Sequence, residues 1–460
     1  MPNIKLKNLR FLFVLFAGLI FAHCHTNEIP VPGEITPETA LSAYLDNGDT
    51  TFHWTIKSTY NLAGVTAYDL FLTSQKWREH TWVHQLTILV PASVQYDGAL
   101  LWITGGSINN GTPNWAGQND GETWAFAMAA QKNSAIVAVL RQTPNQPLYN
   151  NLYEDALISY TLHQFKADGD YSWPLLFPMT KSAIRAMDAI QEFTQGELQH
   201  EIKRFVVSGA SKRGWTTWLT GAHDKRVEAI IPAVIDILNM PVNLDYQLDA
   251  WGAYSPEIQD YVDLGIPQDV HTEQGSAIST MIDPYSYKEK LTIPKLILLG
   301  TNDPYWPVDA IKHYFKDIPG QNYIHYVANA GHGLGGGEQA LRASSAFFGN
   351  TLAYRSYPDC SWNVSETATG VDLTAMGSSN ELIKAYLWTA DSDDRDFRDE
   401  HWSSSELTID NPGIVNTSID FPDSGFKAFY IDLEYPDANG GNYTKSTRMF
   451  VSDDDELFLY

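Results

Sequence analysis

The stretch RFVVSGASKRGW, residues 204–215, decides how this chain is read. Phe205-Val206-Val207 is a short, continuously apolar run, the pattern of a strand buried on both faces of a sheet. Gly209-Ala210-Ser211 supplies small residues for a tight corner, and Lys212-Arg213-Gly214-Trp215 leads away from it. Runs of the same kind recur at 84–91 (HQLTILVP), 99–106 (ALLWITGG), 135–141 (AIVAVLR), 229–236 (AIIPAVID), 295–303 (KLILLGTND) and 323–332 (YIHYVANAGH). Between them lie helical patterns, clearest at 180–195, where Ala183, Ile184, Met187 and Ile190 recur at helical spacing. Strand, helix, strand in repetition predicts an α/β chain with a mostly parallel sheet.

With 460 residues and 44% hydrophobic content the chain can bury a large core. Its 55 acidic against 30 basic residues give a formal charge of -25, which argues against nucleic acid and anionic membranes as partners. The N-terminus reads as an export leader over 1–23: Lys5, Lys7 and Arg10 precede an apolar run from Phe11 to Ala22 that is too short to span a bilayer. The expected location is therefore secreted or periplasmic. Cys24 stands where a bacterial lipoprotein accepts lipid, although His23 occupies a place that calls for a small residue. Without the leader and Cys24, Cys360 is alone, so no internal disulfide is expected. Asn110, Asn363, Asn416 and Asn442 begin glycosylation sequons that matter only in a eukaryotic source.

Two regions break the α/β rhythm of the core expected over 40–350. From about 238 to 287 the chain is helical, aromatic and acidic; because this insertion starts just past a strand, at the edge where open α/β sheets place ligands, it is expected to form a lid. From 354 to 460 the pattern is strand and turn, expected as a small β-sandwich-like domain. The acidic runs DSDDRDFRDE (391–400) and SDDDE (452–456) are expected as solvated surface, and the first lacks the spacing of a calcium loop.

A strand that turns at Gly-x-Ser straight into a helix is a nucleophile elbow, in which a strained serine is pushed clear of the sheet. The usual Gly-x-Ser-x-Gly is bent here, since Arg213 takes the place of the second glycine and Gly214 follows one residue later. In α/β-hydrolases the partners come in the order Ser, acid, His. Asp303 follows a late strand and His332 lies in a glycine-rich loop beyond the next, so Ser211, Asp303 and His332 form the expected triad, in which His332 takes the serine proton and Asp303 orients the imidazole. Asp236, closing the strand after the elbow, is the alternative acid or an anchor for the lid. The oxyanion hole is expected from the backbone N–H of Lys212 with Gly105 and Gly106. The Lys212 ammonium is placed to approach a developing oxyanion or an acidic substrate group, and Arg213 to pair with an internal carboxylate. Trp215, Tyr305 and Trp306 are expected as ordinary packing rather than pocket lining.

The segments SGASKRGWTTWLTGAHDKRV, VIDILNM, MIDPYSY, PKLILLGTNDPYW and ANAGHGLGGG, in this order, resemble the PhoPQ-activated pathogenicity-related protein family, whose core is of α/β-hydrolase type. The resemblance runs from about 44 to 348 and implies the same roles for Ser211, Asp303 and His332. The elbow alone is also similar to the Gly-x-Ser-Arg-x-Gly of glucuronoyl esterases, with Lys212 in place of an arginine, which makes an acidic sugar ester a thinkable substrate. A suggested similarity to prolyl dipeptidyl peptidases leaves a peptide bond open as well. The expectation is thus a secreted serine hydrolase acting on a small molecule, sugar ester or peptide without cofactor or metal, there being no HExxH, Cys-x-x-Cys or P-loop motif. The alternative is an idle hydrolase scaffold that binds or signals.

Overall fold

The computed structural model describes residues 35–378, 381–410 and 413–460; the expected leader and Cys24 lie outside them. Thr36–Tyr460 forms one compact unit. A short helix α1 (Pro37–Leu45) precedes three long strands, β1 (His53–Leu62), β2 (Val65–Trp77) and β3 (His80–Pro91). The chain then alternates: β4 (Gly98–Ile103), α2 (Gly121–Asn133), β5 (Ile136–Leu140), α3 (Glu154–Asp168), α4 (Leu176–Glu197), β6 (Arg204–Ala210), α5 (Lys212–His223) and β7 (Val227–Ala233). Beyond a helical insertion come β8 (Lys295–Gly300), β9 (Asn322–Val327) and α9 (Glu338–Leu352), the insertion contributing α6 (Met240–Trp251), α7 (Gln259–Val262) and α8 (Glu273–Ile282).

The strand order is β1-β2-β3-β5-β4-β6-β7-β8-β9, antiparallel up to the β3/β5 pair and parallel from β5 to β9. The continuous apolar runs are explained by this arrangement, because side chains alternate between two buried faces rather than between core and water. Phe205 and Val207 join Met187, Ile190, Trp218 and Leu219 of α4 and α5 on one face. Val206 joins Phe126 of α2 and Phe347 of α9 on the other. Phe193 and Leu219 are 0% exposed, and each such burial stabilises by about 1.5–3 kcal/mol. Helices on both faces of a mostly parallel sheet, with a serine corner after the central strand β6, make this an α/β-hydrolase fold, as expected.

The insertion between β7 and β8 consists of helices joined by turns, the longest over 263–272, with no strand among its residues, and Asp283 staples its two ends by accepting from the backbone N–H of Met240 (2.6 Å) and of Tyr285 (2.9 Å). The C-terminal strands are β10 (Cys360–Glu366), β11 (Gly370–Gly377), β12 (Lys384–Ser392), β13 (Ser403–Leu407), β14 (Ile414–Asp420), β15 (Phe426–Pro436), β16 (Asn442–Ser446) and β17 (Phe450–Ser452). They form two facing layers: β10-β11-β14 is one sheet, and β16-β15-β12-β13, with β17 on β15, is the other. Val371, Leu373 and Val415 of the first pack with Phe429, Ile431 and Leu433 of the second. This second layer is continuous with the hydrolase sheet, because β16 pairs antiparallel with β9 through Ile324 and Ser446 and so covers what would be an open sheet edge. A β-rich segment can be read from sequence; the strand it attaches to cannot.

The run 391–400 is not simply solvated surface. Arg395 donates to Tyr246 Oη on α6 (2.8 Å), Arg398 lies 4.1 Å over the Trp251 ring, and Asn302 donates to the carbonyl oxygen of Glu400 (2.7 Å). The arginines within the run find aromatic partners on the insertion, and the loop braces the segment that carries Asp303. Among the described residues, no helix is long and apolar enough to cross a membrane.

Candidate active site

Ser211 sits between β6 and α5 with φ 58° and ψ -126°, a conformation that costs on the order of 1–3 kcal/mol and persists only where the surroundings enforce it. Its backbone N–H donates to the Ala233 carbonyl oxygen at the end of β7 (2.9 Å). The bent consensus has a steric reason. A Cβ on Gly214 would stand 2.7 Å from the Ala233 carbonyl oxygen, so the small residue is required at 214, where α5 passes closest to β7. Position 213 faces the other way: Arg213 Nε donates to the Thr143 carbonyl oxygen (2.5 Å) and its Nη2 to Glu154 Oε1 (2.6 Å). Burial pushes the Glu154 carboxyl up, but Arg213, Gln146 and Lys212 together hold it below the usual carboxylate range.

Asp303 and His332 arrive from the ends of β8 and β9. Their loops lie against each other because Gly300 lacks a side chain: a Cβ there would be 2.4 Å from the Ala330 carbonyl oxygen. His332 Nδ1 is 2.9 and 3.0 Å from the two oxygens of Asp303, and His332 Nε2 is 2.9 Å from Ser211 Oγ. Asp303 is 7% exposed and also accepts from the Tyr305 backbone N–H (3.0 Å). The Tyr305 ring lies over the imidazole, centroids 4.1 Å apart. This array can deprotonate a serine and stabilise the imidazolium that results.

Asp236 does not reach the histidine. Its carboxylate accepts from Tyr314 Oη (2.6 Å), and burial, with the nearby Asp303 charge adding to it, raises its pKa to about 7. Lys212 opens α5, so its backbone N–H is among those at the helix N-terminus without an intrahelical acceptor. The Lys212 ammonium is 2.8 Å from Asp155 Oδ2, and Asp155 Oδ1 accepts from Tyr261 Oη of α7 (2.9 Å). Gly105 backs onto the Arg213 guanidinium, and Gly106, with φ 126°, receives Gln146 Nε2 on its carbonyl oxygen (3.0 Å); neither is among the residues lining the cavity at Ser211.

That cavity measures about 60 Å³ and is bounded by Ser211, Lys212 and His332. Trp215, Tyr305 and Trp306 line it, so these aromatics do more than the packing expected of them. The insertion closes it with Met240, Leu244, Ile258, Tyr261 and Ile266. Sequence reasoning missed Glu154, Asp155 and Tyr261: two acidic residues in the first turn of a helix and a tyrosine among many carry no local mark of a role at a site formed some 50 residues away. The elbow's own Lys212 and Arg213, two cations beside a buried corner, were the one clue that carboxylates must meet them.

The model of a family described as PhoPQ-activated pathogenicity-related protein matches residues 41–398. The chain is 30% identical over 448 residues, 90% of either chain, to autocrine proliferation repressor protein A of Dictyostelium discoideum. Among solved structures it is similar to acetyl xylan esterase 1 of a Thermoanaerobacterium species (16% identity, 67% of this chain and 93% of that one, TM-score 0.46). It is also similar to an acetyl xylan esterase of a Paenibacillus species (14% identity, 66% and 91%, TM-score 0.45).

Proposed function

The chain belongs to the PhoPQ-activated pathogenicity-related protein family, and from that premise and the site geometry we propose that it is an exported serine hydrolase that cleaves an ester or peptide bond through Ser211, His332 and Asp303. The observation that carries this reading is the unbroken chain Ser211 Oγ, His332 Nε2, His332 Nδ1, Asp303, with every link between 2.9 and 3.0 Å. An idle scaffold has no reason to keep a strained serine within hydrogen-bond reach of an oriented histidine.

In this mechanism Ser211 Oγ bonds to the substrate carbonyl carbon while His332 Nε2 takes its proton. Asp303 keeps Nδ1 protonated and stabilises the imidazolium, and the Lys212 backbone N–H at the start of α5 meets the developing oxyanion, aided by the helix dipole. His332 then returns the proton to the leaving oxygen or nitrogen as its bond to carbon breaks. Water repeats the sequence, with His332 as base, and releases the acid and Ser211. Arg213 holds the elbow through Glu154 and touches no reacting atom. The leader read at 1–23 supports export.

The test is labelling of the purified mature protein with a fluorophosphonate probe beside Ser211→Ala and His332→Ala. Labelling of the wild type alone is expected. A folded wild type that stays unlabelled overturns the proposal and leaves the binding-scaffold reading.

A further inference from the structure

Resting on the serine-hydrolase reading of the same site, we infer that the cavity beside Ser211 is an acyl pocket for short, uncharged apolar acyl groups, its depth set by Leu244 and Ile266 of the helical insertion. Size is the first argument. A dry apolar cavity of about 150 Å³ takes a benzene ring, so one of about 60 Å³ has room for roughly two to four carbon atoms. The lining is the second. Leu244 and Ile266 are 5% and 7% exposed, Trp215 spends its indole N–H on the Ile282 carbonyl oxygen (2.5 Å), and Tyr261 spends its hydroxyl on Asp155 (2.9 Å).

Charge supplies the third argument. The Lys212 ammonium at the cavity is paired with Asp155 at 2.8 Å, so a carboxylated acyl group meets a cation already neutralised. Direction supplies the fourth. The leaving group must face His332 Nε2, which protonates it, so the part of the cavity walled by Trp215, Ile237 and the insertion receives the acyl side. Leu244 lies on α6 and Ile266 follows α7, and both belong to the segment stapled by Asp283, so this part of the pocket wall is carried by the insertion, and another part, Trp215, Val234 and Ile235, by α5 and the residues just past β7.

The experiment measures kcat/KM of the full mature chain for p-nitrophenyl acetate, butyrate, hexanoate and octanoate, in the wild type, Leu244→Ala, Ile266→Ala and the milder Ile266→Val, with fluorophosphonate labelling run on each. The wild type is expected to peak at acetate or butyrate and to fall by about tenfold or more at octanoate, since each methylene that a pocket cannot accept costs on that scale. The enlarged variants are expected to move the peak to hexanoate or octanoate. A labelled wild type that prefers octanoate, or a peak that none of the three variants moves, overturns the acyl pocket while leaving the nucleophile intact. An unlabelled, folded wild type overturns the hydrolase reading and the pocket with it.

Discussion

Replacing Asp236 by asparagine separates the two carboxylates that end neighbouring strands. Asp236 is buried, bonded to Tyr314 and raised from 3.8 to about 7. Because the folded chain holds this proton more tightly than the unfolded one, the group's contribution to stability is complete below the unfolded value and is lost as pH rises through the folded one. A displacement from 3.8 to about 7 corresponds to about 4 kcal/mol, at about 1.36 kcal/mol per pH unit. Asparagine has no such proton to lose. It does set an amide against the Ile311 backbone N–H that the carboxylate accepts, a pH-independent cost of about 1–3 kcal/mol. The stability difference, variant minus wild type, should therefore start near that cost, about 1–3 kcal/mol negative, at pH 4 and rise by about 4 kcal/mol by pH 8, read from urea unfolding at matched pH values. Activity gives the second reading: Asp303→Asn, which spoils the Nδ1 partner, should lower kcat by about 10⁴-fold, whereas Asp236→Asn should stay near wild type. A stability difference flat with pH, or a loss of activity equal to that of Asp303→Asn, refutes the reasoning.

Arg213→Met leaves the partly exposed Glu154 carboxylate with only Gln146 and Lys212; a loss of about 1–2 kcal/mol is expected, the lower part of the range for a stranded partner because water still reaches it, and adding Glu154→Gln should restore part of it in denaturation experiments. Tyr305→Ala removes the ring over His332 and should lower kcat/KM about 10- to 100-fold through misplacement of the imidazole, while Tyr305→Phe keeps the stack and the rate. Gly214→Ala drives a methyl to 2.7 Å from the Ala233 carbonyl oxygen; it should cost about 1–3 kcal/mol and diminish fluorophosphonate labelling, because it shifts the elbow itself.

The amino-acid sequence by itself determined the strand and helix alternation, the corner at Ser211 and the chain order of serine, acid and histidine. Buried parallel strands demand unbroken apolar runs, and a strained corner demands small residues, so both leave marks a few residues long. It also announced that the segment after β7 departs from the sheet. What only the tertiary structure decided depends on groups distant in sequence. Asp236 and Asp303 look alike from sequence, as carboxylates that follow buried strands; Gly300 lets the His332 loop close on one of them, and Tyr314 takes the other. Arg213 and Gly214 looked like a damaged motif until the approach of β7 required the glycine at 214 and Glu154 gave the arginine a partner. The aromatics became pocket walls only once the insertion lay across them, and β16 could be assigned to the edge at β9 only when that edge existed. Local periodicity is written along the chain; a contact between loops depends on the packing of everything between them.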